Sequence, residues 1–130
     1  MLKLISSSKH RGRGGQLVSI DPRRNKLSLY KQTVELMTRE HGSSFDYVQI
    51  FVDPEIPSRF WLKPCETSDD GARKLNQSSP SNRSLTISLL LQELDPRPET
   101  TVRVKVEWDT ENSALRCDLE KSLGKEVKNP

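Results

Sequence analysis

Lys26-Leu27-Ser28-Leu29, then Tyr30 to His41, then Tyr47-Val48-Gln49-Ile50-Phe51-Val52, then Arg59-Phe60-Trp61-Leu62 form the stretch, closed by Pro64, that decides how this chain is read. Leu27 and Leu29 alternate with polar residues, the two-residue period of a strand with one buried face. From Tyr30 the period lengthens. Tyr30, Val34, Met37 and His41 fall at i, i+4, i+7 and i+11, with Thr33 and Leu36 widening the stripe, as on one face of a helix. Ser28 or Leu29 marks its start, and Gly42 its stop, because glycine takes the left-handed conformation that closes helices. His41 in the last turn suits the helix dipole better than it suits a ligand or base, having no second histidine or cysteine near it in sequence. Tyr47 to Val52 alternates with both faces partly apolar, which predicts a central strand. Asp53 to Ser58 then turns the chain and Arg59 to Lys63 returns. Phe51, Phe60 and Trp61 are expected to pack beneath a helix; stacking on unpaired bases is the other use of aromatics beside basic residues.

Upstream, Leu17-Val18-Ser19-Ile20 reads as a strand and Asp21-Pro22-Arg23-Arg24-Asn25 as a turn, since proline fixes φ early and asparagine tolerates the left-handed region late. Lys26 to Leu29 would return as the second strand of a hairpin. Its tip would display Arg23 and Arg24, with Lys26 beside them, as a rigid contact for phosphates or as a charged tip that blunts a sheet edge. Residues 1–15 read as a flexible basic arm, in which Lys9, Arg11 and Arg13 alternate with glycine and serine and can lie along a phosphate backbone.

Downstream, Glu66 to Gly71 is an acidic loop whose Asp69 and Asp70 lack the spaced oxygens of a calcium site. Ala72 to Leu75 is a short strand and Gln77 to Asn82 a polar loop. Ser84-Leu85-Thr86-Ile87 alternates, Ser88 is the expected cap, and Leu89, Leu90, Leu91 and Leu94 form a short apolar helix stopped by Asp95-Pro96. Val102, Val104, Val106 and Trp108 point inward from the next strand. Asp109 to Ser113 turns, Ala114 to Leu119 returns, and residues 120–130 read as a charged tail.

This is the first pattern again. Leu27-Ser28-Leu29 overlays Leu85-Thr86-Ile87, and Glu35-Leu36 overlays Glu93-Leu94 at the same offset. Val48-x-Ile50-x-Val52-Asp53 overlays Val104-x-Val106-x-Trp108-Asp109. The expected fold is therefore α+β: two ββαββ units, residues 17–65 and 72–119, forming one pseudo-twofold sheet or barrel with two short helices. Each unit alone has too little apolar surface to stand.

That order, with a basic hairpin tip and a closing hairpin reading Tyr-Val-Gln-Ile-Phe-Val-Asp…Phe-Trp-Leu-Lys-Pro, resembles the swapped-hairpin DNA-binding fold of the transition-state-regulator (AbrB-like) family. The resemblance covers Leu17 to Pro64, and Ala72 to Leu119 more loosely. It implies one DNA-binding barrel made of two units, with Arg23 and Arg24 facing the duplex. Where the family carries Gly-Arg-x-x-(Ile/Val)-Pro, this chain has Asn25-Lys26-Leu27-Ser28-Leu29-Tyr30, and the second tip, Ser78 to Arg83, keeps only Arg83. Read in a shifted frame, the same order is also similar to Whirly-type single-stranded-DNA binders.

Charge is distributed unevenly along the chain. Up to Val34 there are eight basic residues against one acid, net +7; the remainder has thirteen against seventeen, net −4. A basic front on a mildly acidic body attracts phosphates or an acidic partner. Apolar residues are 32% and charged residues 30% of the chain, which argues for ragged polar ends around a small ordered centre. No apolar run approaches the length of a membrane span or a signal-peptide core, so a cytoplasmic protein is expected. Cys65 and Cys117 stand far apart, each ending an apolar strand, and read as buried hydrophobes. No nucleophile–base pair, phosphate-cradling glycine loop or metal-ligand set is spelled out, so no catalytic residue, metal or cofactor is expected. The sequence points to a non-enzymatic nucleic-acid-binding or transcription-regulator-like module, DNA favoured over RNA. The alternative is a structural or adaptor domain, of phage or mobile-element type, that forms homo-oligomers through a sheet edge.

Overall fold

In the computed structural model, which describes residues 16–79, 82–95 and 97–122, eleven elements follow one another. They are β1 (Leu17–Asp21), β2 (Lys26–Leu29), α1 (Lys31–His41), β3 (Tyr47–Val52), β4 (Arg59–Cys65), β5 (Arg73–Lys74), β6 (Asn76–Ser79), β7 (Asn82–Thr86), α2 (Ser88–Glu93), β8 (Val102–Asp109) and β9 (Ala114–Ser122). All nine strands join one antiparallel sheet in the order β5-β3-β4-β9-β8-β1-β2-β7-β6. Its two edges, β5 and β6, are separated in sequence by Leu75 alone, so the sheet curls almost to closure. The fold is mixed but strand-rich.

The seam is tied by backbone and arginine. Leu75 N–H donates to Asp46 O at 2.8 Å, Arg83 Nη1 donates to Phe45 O at 3.1 Å, and Arg73 Nη2 donates to Thr86 O. These bonds satisfy the carbonyls of Asp46, Phe45 and Thr86 across the gap between the two edges.

Strand alternation fills the inside. Ile20, Leu27, Phe60, Leu62, Val104 and Leu115 are among the wholly buried side chains of one continuous core. Both helices add to it, Leu36 and Met37 from α1 and Leu90 and Leu91 from α2. Burying one such side chain is worth about 1.5–3 kcal/mol. Thr33, buried within α1, donates its hydroxyl hydrogen to Leu17 O and so anchors the helix to β1. Gly42 ends α1 at φ 96°, its N–H bonded to Thr38 O.

Several boundaries differ from the expected ones. Ser28 and Leu29 do not start α1: both are paired within the sheet, to Ser19 and Val18 on one side and to Ser84 and Arg83 on the other, so Tyr30 becomes the cap. Ile87, whose N–H is held by Asn25 O at 2.8 Å, caps α2 in place of Ser88. The polar run at Asn76–Ser79 is a strand, β6, because the closing sheet needs backbone partners there and not apolar side chains. β3 is not central: it lies between β4 and the two-residue β5, next to the edge. β9 continues to Ser122, past Leu119.

Cys65 and Cys117 are buried and free, and burial pushes both thiols above their ordinary range. Cys117 faces Phe60 in register, five positions before Cys65 on β4. That is about 16 Å along the strand, beyond the roughly 7 Å Cα separation a disulfide spans.

Candidate nucleic-acid interface

The β1–β2 hairpin is built as the turn residues dictate. Asp21 Oδ1 accepts Arg23 N–H at 3.1 Å, and Asn25 sits at φ 53°, the left-handed region asparagine tolerates. Asp21 and Lys26 are then partners across the ladder. Arg23 and Arg24 are both exposed on this braced tip.

Arg24 Nε lies 3.7 Å from Asp21 Oδ2, with the arginine side chain 76% exposed. So exposed a pair contributes about 0–1 kcal/mol, and an arriving phosphate competes with it readily. Arg23 lines an open cleft of about 350 Å³ with Pro22, Arg97, Pro98 and Glu99. Arg97 comes from the segment between α2 and β8, so the fold lines one cleft with two arginines that are 74 positions apart in sequence, each beside a proline. Sequence reasoning missed Arg97. Its signal was the Arg97-Pro98 pair following the helix stop.

The other expected contacts are not gathered here. Lys26 is half-buried and lines a separate opening of about 280 Å³ with Ser28, Tyr30, Asn82, Arg83 and Ser84. Lys9, Arg11 and Arg13 lie outside the described residues. Arg83, the remaining basic residue of the second tip, is 17% exposed and spent on the seam, 3.9 Å from Asp46 Oδ1 and bonded to Phe45 O. Arg59 is held by Asp118 at 3.2 Å and Arg116 by Glu107. Arg103 and Lys105 stand exposed on the outer face of β8.

At the opposite end of β8 lies a second site of different character. Phe51 and Trp61 are register partners across β3 and β4. With Lys63, Asn112 and Ala114 they line a cleft of about 250 Å³. Phe51 was expected beneath a helix, but its side chain projects outward and is 47% exposed, because Val48, Ile50 and Val52 take the inward positions of β3. Trp61 Nε1 donates to Asp109 Oδ2 at 3.0 Å. The same carboxylate receives Asn112 Nδ2 at 2.7 Å, and its other oxygen receives the N–H groups of Glu111 and Asn112 at 3.1 and 3.3 Å. The Asn112 amide is the largest cause holding the Asp109 carboxyl below the usual carboxylate range; burial pushes it up next, and the Trp61 indole and the backbone N–H groups of Asn112 and Glu111 lower it again.

Elsewhere, Asp69 Oδ2 accepts Glu66 N–H at 2.8 Å and Asp70 O accepts Gln49 Nε2 at 2.7 Å, so the acidic loop is held by a turn bond of its own and by β3. Among the described residues no three His, Cys, Asp or Glu side chains are grouped so as to hold a metal ion, and no described helix is long and apolar enough to cross a membrane. No protein-family model, curated protein or solved structure matches this chain.

Proposed function

We propose that this protein is a non-enzymatic nucleic-acid-binding module, of the kind that serves transcription regulation, that grips phosphates through the β1–β2 tip. The observation that carries this reading is Arg23, Arg24 and Arg97 exposed around one braced turn, with Asp21 and Glu99 beside them. Arginine is charged at every physiological pH and forks onto phosphate oxygens, while a tip fixed by Asp21 and Asn25 loses little entropy on contact. Lys26 and the arm residues Lys9, Arg11 and Arg13 add positive charge along the same strand of nucleic acid, DNA in preference to RNA. The reading places the protein in the cytoplasm.

We further read the chain as two ββαββ halves, residues 17–65 and 72–119, with the second opened by β6 in place of the expected Ala72–Leu75, whose Arg73–Lys74 pairs with β3 instead. The sheet order is in keeping with this: exchanging β1, β2, β3, β4 for β6, β7, β8, β9 preserves every neighbour pair of these eight strands except β8–β1, whose counterpart would be β3–β6, since β3 pairs with β5 there. A swapped-hairpin regulator fold made of two such units would have this symmetry.

The test is fluorescence anisotropy with labelled single-stranded and duplex DNA across a salt series, using the full chain and a version lacking residues 1–14. Affinity that falls steeply with salt, and falls again on truncation, is expected from counterion release. No binding to either form at low salt contradicts the reading. One observation favours the adaptor alternative: Leu89 is 69% exposed and borders an opening of about 300 Å³ with Ile50, Val52 and Leu90. A salt-insensitive oligomer that Leu89→Glu dissociates, with no DNA affinity, would select it.

A further inference from the structure

The cleft at the far end of β8 is built for something other than a phosphate. Its floor is aromatic, Phe51 beside Trp61 with side chains on one face of adjacent strands. Leaving a phenylalanine 47% exposed forgoes burial energy of about 25 cal/mol per Å² of apolar surface, which is recovered when an apolar group covers it. The walls are fixed before any ligand arrives. Trp61 has one N–H, and Asp109 holds it; the same carboxylate orients the Asn112 amide. One Nδ2 hydrogen is so occupied, and the Asn112 amide keeps its second N–H and its oxygen for a ligand in the cleft it lines. Lys63, in no salt bridge with a described residue, supplies one cation at the rim.

A planar ring with a hydrogen-bonding edge, joined to an anionic backbone, matches all three features. An aliphatic segment would cover the floor but would leave Lys63 and the amide oxygen without a counterpart. A duplex hides its base faces in the stack and cannot offer one.

We propose that the Phe51–Trp61 cleft is a stacking site for one unpaired nucleobase of a single-stranded nucleic acid, with Lys63 at the adjoining phosphate and Asn112 at the base edge. This rests on the nucleic-acid reading above and adds to it a preference for unpaired strands. The two sites lie on one path. β1 runs antiparallel to β8 with Ile20 opposite Val102, so the arginine tip lies beyond the Val102 end and the cleft lies at the Asp109 end. Seven residue steps separate those ends, about 23 Å, and the exposed Arg103 and Lys105 stand between them. A strand lying along β8 reaches from phosphate grip to stacking floor within the few nucleotides that one small sheet domain covers.

The experiment compares a single-stranded oligodeoxythymidylate of about 12 nucleotides with a fully paired hairpin of the same strand length, at one low salt concentration. Proteins are the full chain, Phe51→Ala, Phe51→Trp and the double variant Arg23→Ala/Arg24→Ala, each with its thermal unfolding recorded. Phe51→Ala is expected to weaken single-strand binding about tenfold and leave hairpin binding unchanged, with Phe51→Trp restoring it. In a Trp108→Phe background, the single strand should quench Trp61 emission. Unchanged single-strand affinity in Phe51→Ala, while Arg23→Ala/Arg24→Ala still loses affinity, overturns the stacking site and spares the phosphate grip. Absence of binding by the full chain overturns both.

Discussion

Two turns of this molecule share a backbone and differ in everything they display. Asp21-Pro22-Arg23-Arg24-Asn25 and Asp109-Thr110-Glu111-Asn112-Ser113 each begin with an aspartate whose Oδ1 accepts the N–H two residues on, and each puts a non-glycine residue at positive φ four residues later, 53° at Asn25 and 52° at Ser113. Both are hairpin tips, β1–β2 and β8–β9. At the first, the aspartate holds the Arg23 N–H and an exposed arginine, and both arginines stay at the surface. At the second, the aspartate pins an indole and an amide, and the tip carries no basic residue. The turn chemistry thus belongs to the aspartate and the left-handed residue, while the use of the tip is set by what the neighbouring strand offers: Trp61 on β4 in one case, open water and Arg97 in the other.

Reversing charge at the first tip should break the comparison hardest. Arg23→Glu/Arg24→Glu leaves the turn bonds of Asp21 and Asn25 in place but replaces attraction with repulsion, and DNA affinity at low salt should drop about 100-fold or more. Affinity within about twofold of the parent would remove the tip from the interface.

The second turn should matter more for stability than the first. Asp109→Ala strands the Trp61 and Asn112 donors and two backbone N–H groups, which is expected to cost about 2 kcal/mol in urea unfolding. Asp21→Ala loses one such bond and an exposed ion pair and should cost under about 1 kcal/mol. Equal costs would mean that the pin on Trp61 adds nothing.

Acid sharpens the same contrast. The Asp109 carboxyl titrates lower folded than its unfolded value of about 3.9, so its contribution is fully present above that pH and is lost as pH falls through the folded value. Between about pH 4 and pH 8 the emission of Trp61, read with Trp108→Phe, should be flat, and it should shift, as the indole is released, only as pH falls below the ordinary carboxylate value of about 3.9. Asp109→Asn should abolish that acid-dependent step.

The smallest effect concerns the two left-handed residues. Serine tolerates positive φ less well than asparagine, so Ser113→Gly should gain a few tenths of a kcal/mol more than Asn25→Gly, about 0.5 kcal/mol at most. A reversed order in paired thermal unfolding curves would show the two turns are not equivalent in strain.

What could be read from the sequence was whatever depends on neighbours in the chain. Asp-Pro…Asn announced the first turn, Gly42 the end of α1, and the alternation of Val102, Val104, Val106 and Trp108 the inward face of β8. What could not be read depends on strands distant in sequence. Asn76–Ser79 is a strand only because β7 lies beside it, β3 is peripheral only because the sheet closes through the two-residue β5, and Arg83 points into the seam because Phe45 O stands across the gap. The same holds for the sites. Arg23 and Arg24 were legible from their turn, whereas Arg97 and the pairing of Phe51 with Trp61 above Asn112 needed the fold to bring segments together.

The most direct test of the phosphate grip is the slope of log affinity against log salt for single-stranded DNA, measured for the full chain and for Arg23→Ala/Arg24→Ala. Removing one arginine–phosphate interaction should reduce the slope by about 0.7, so the double variant should bind more weakly at low salt and converge on the parent as salt rises. Parallel lines, with the parent slope intact, would contradict the assignment of these two arginines to the interface.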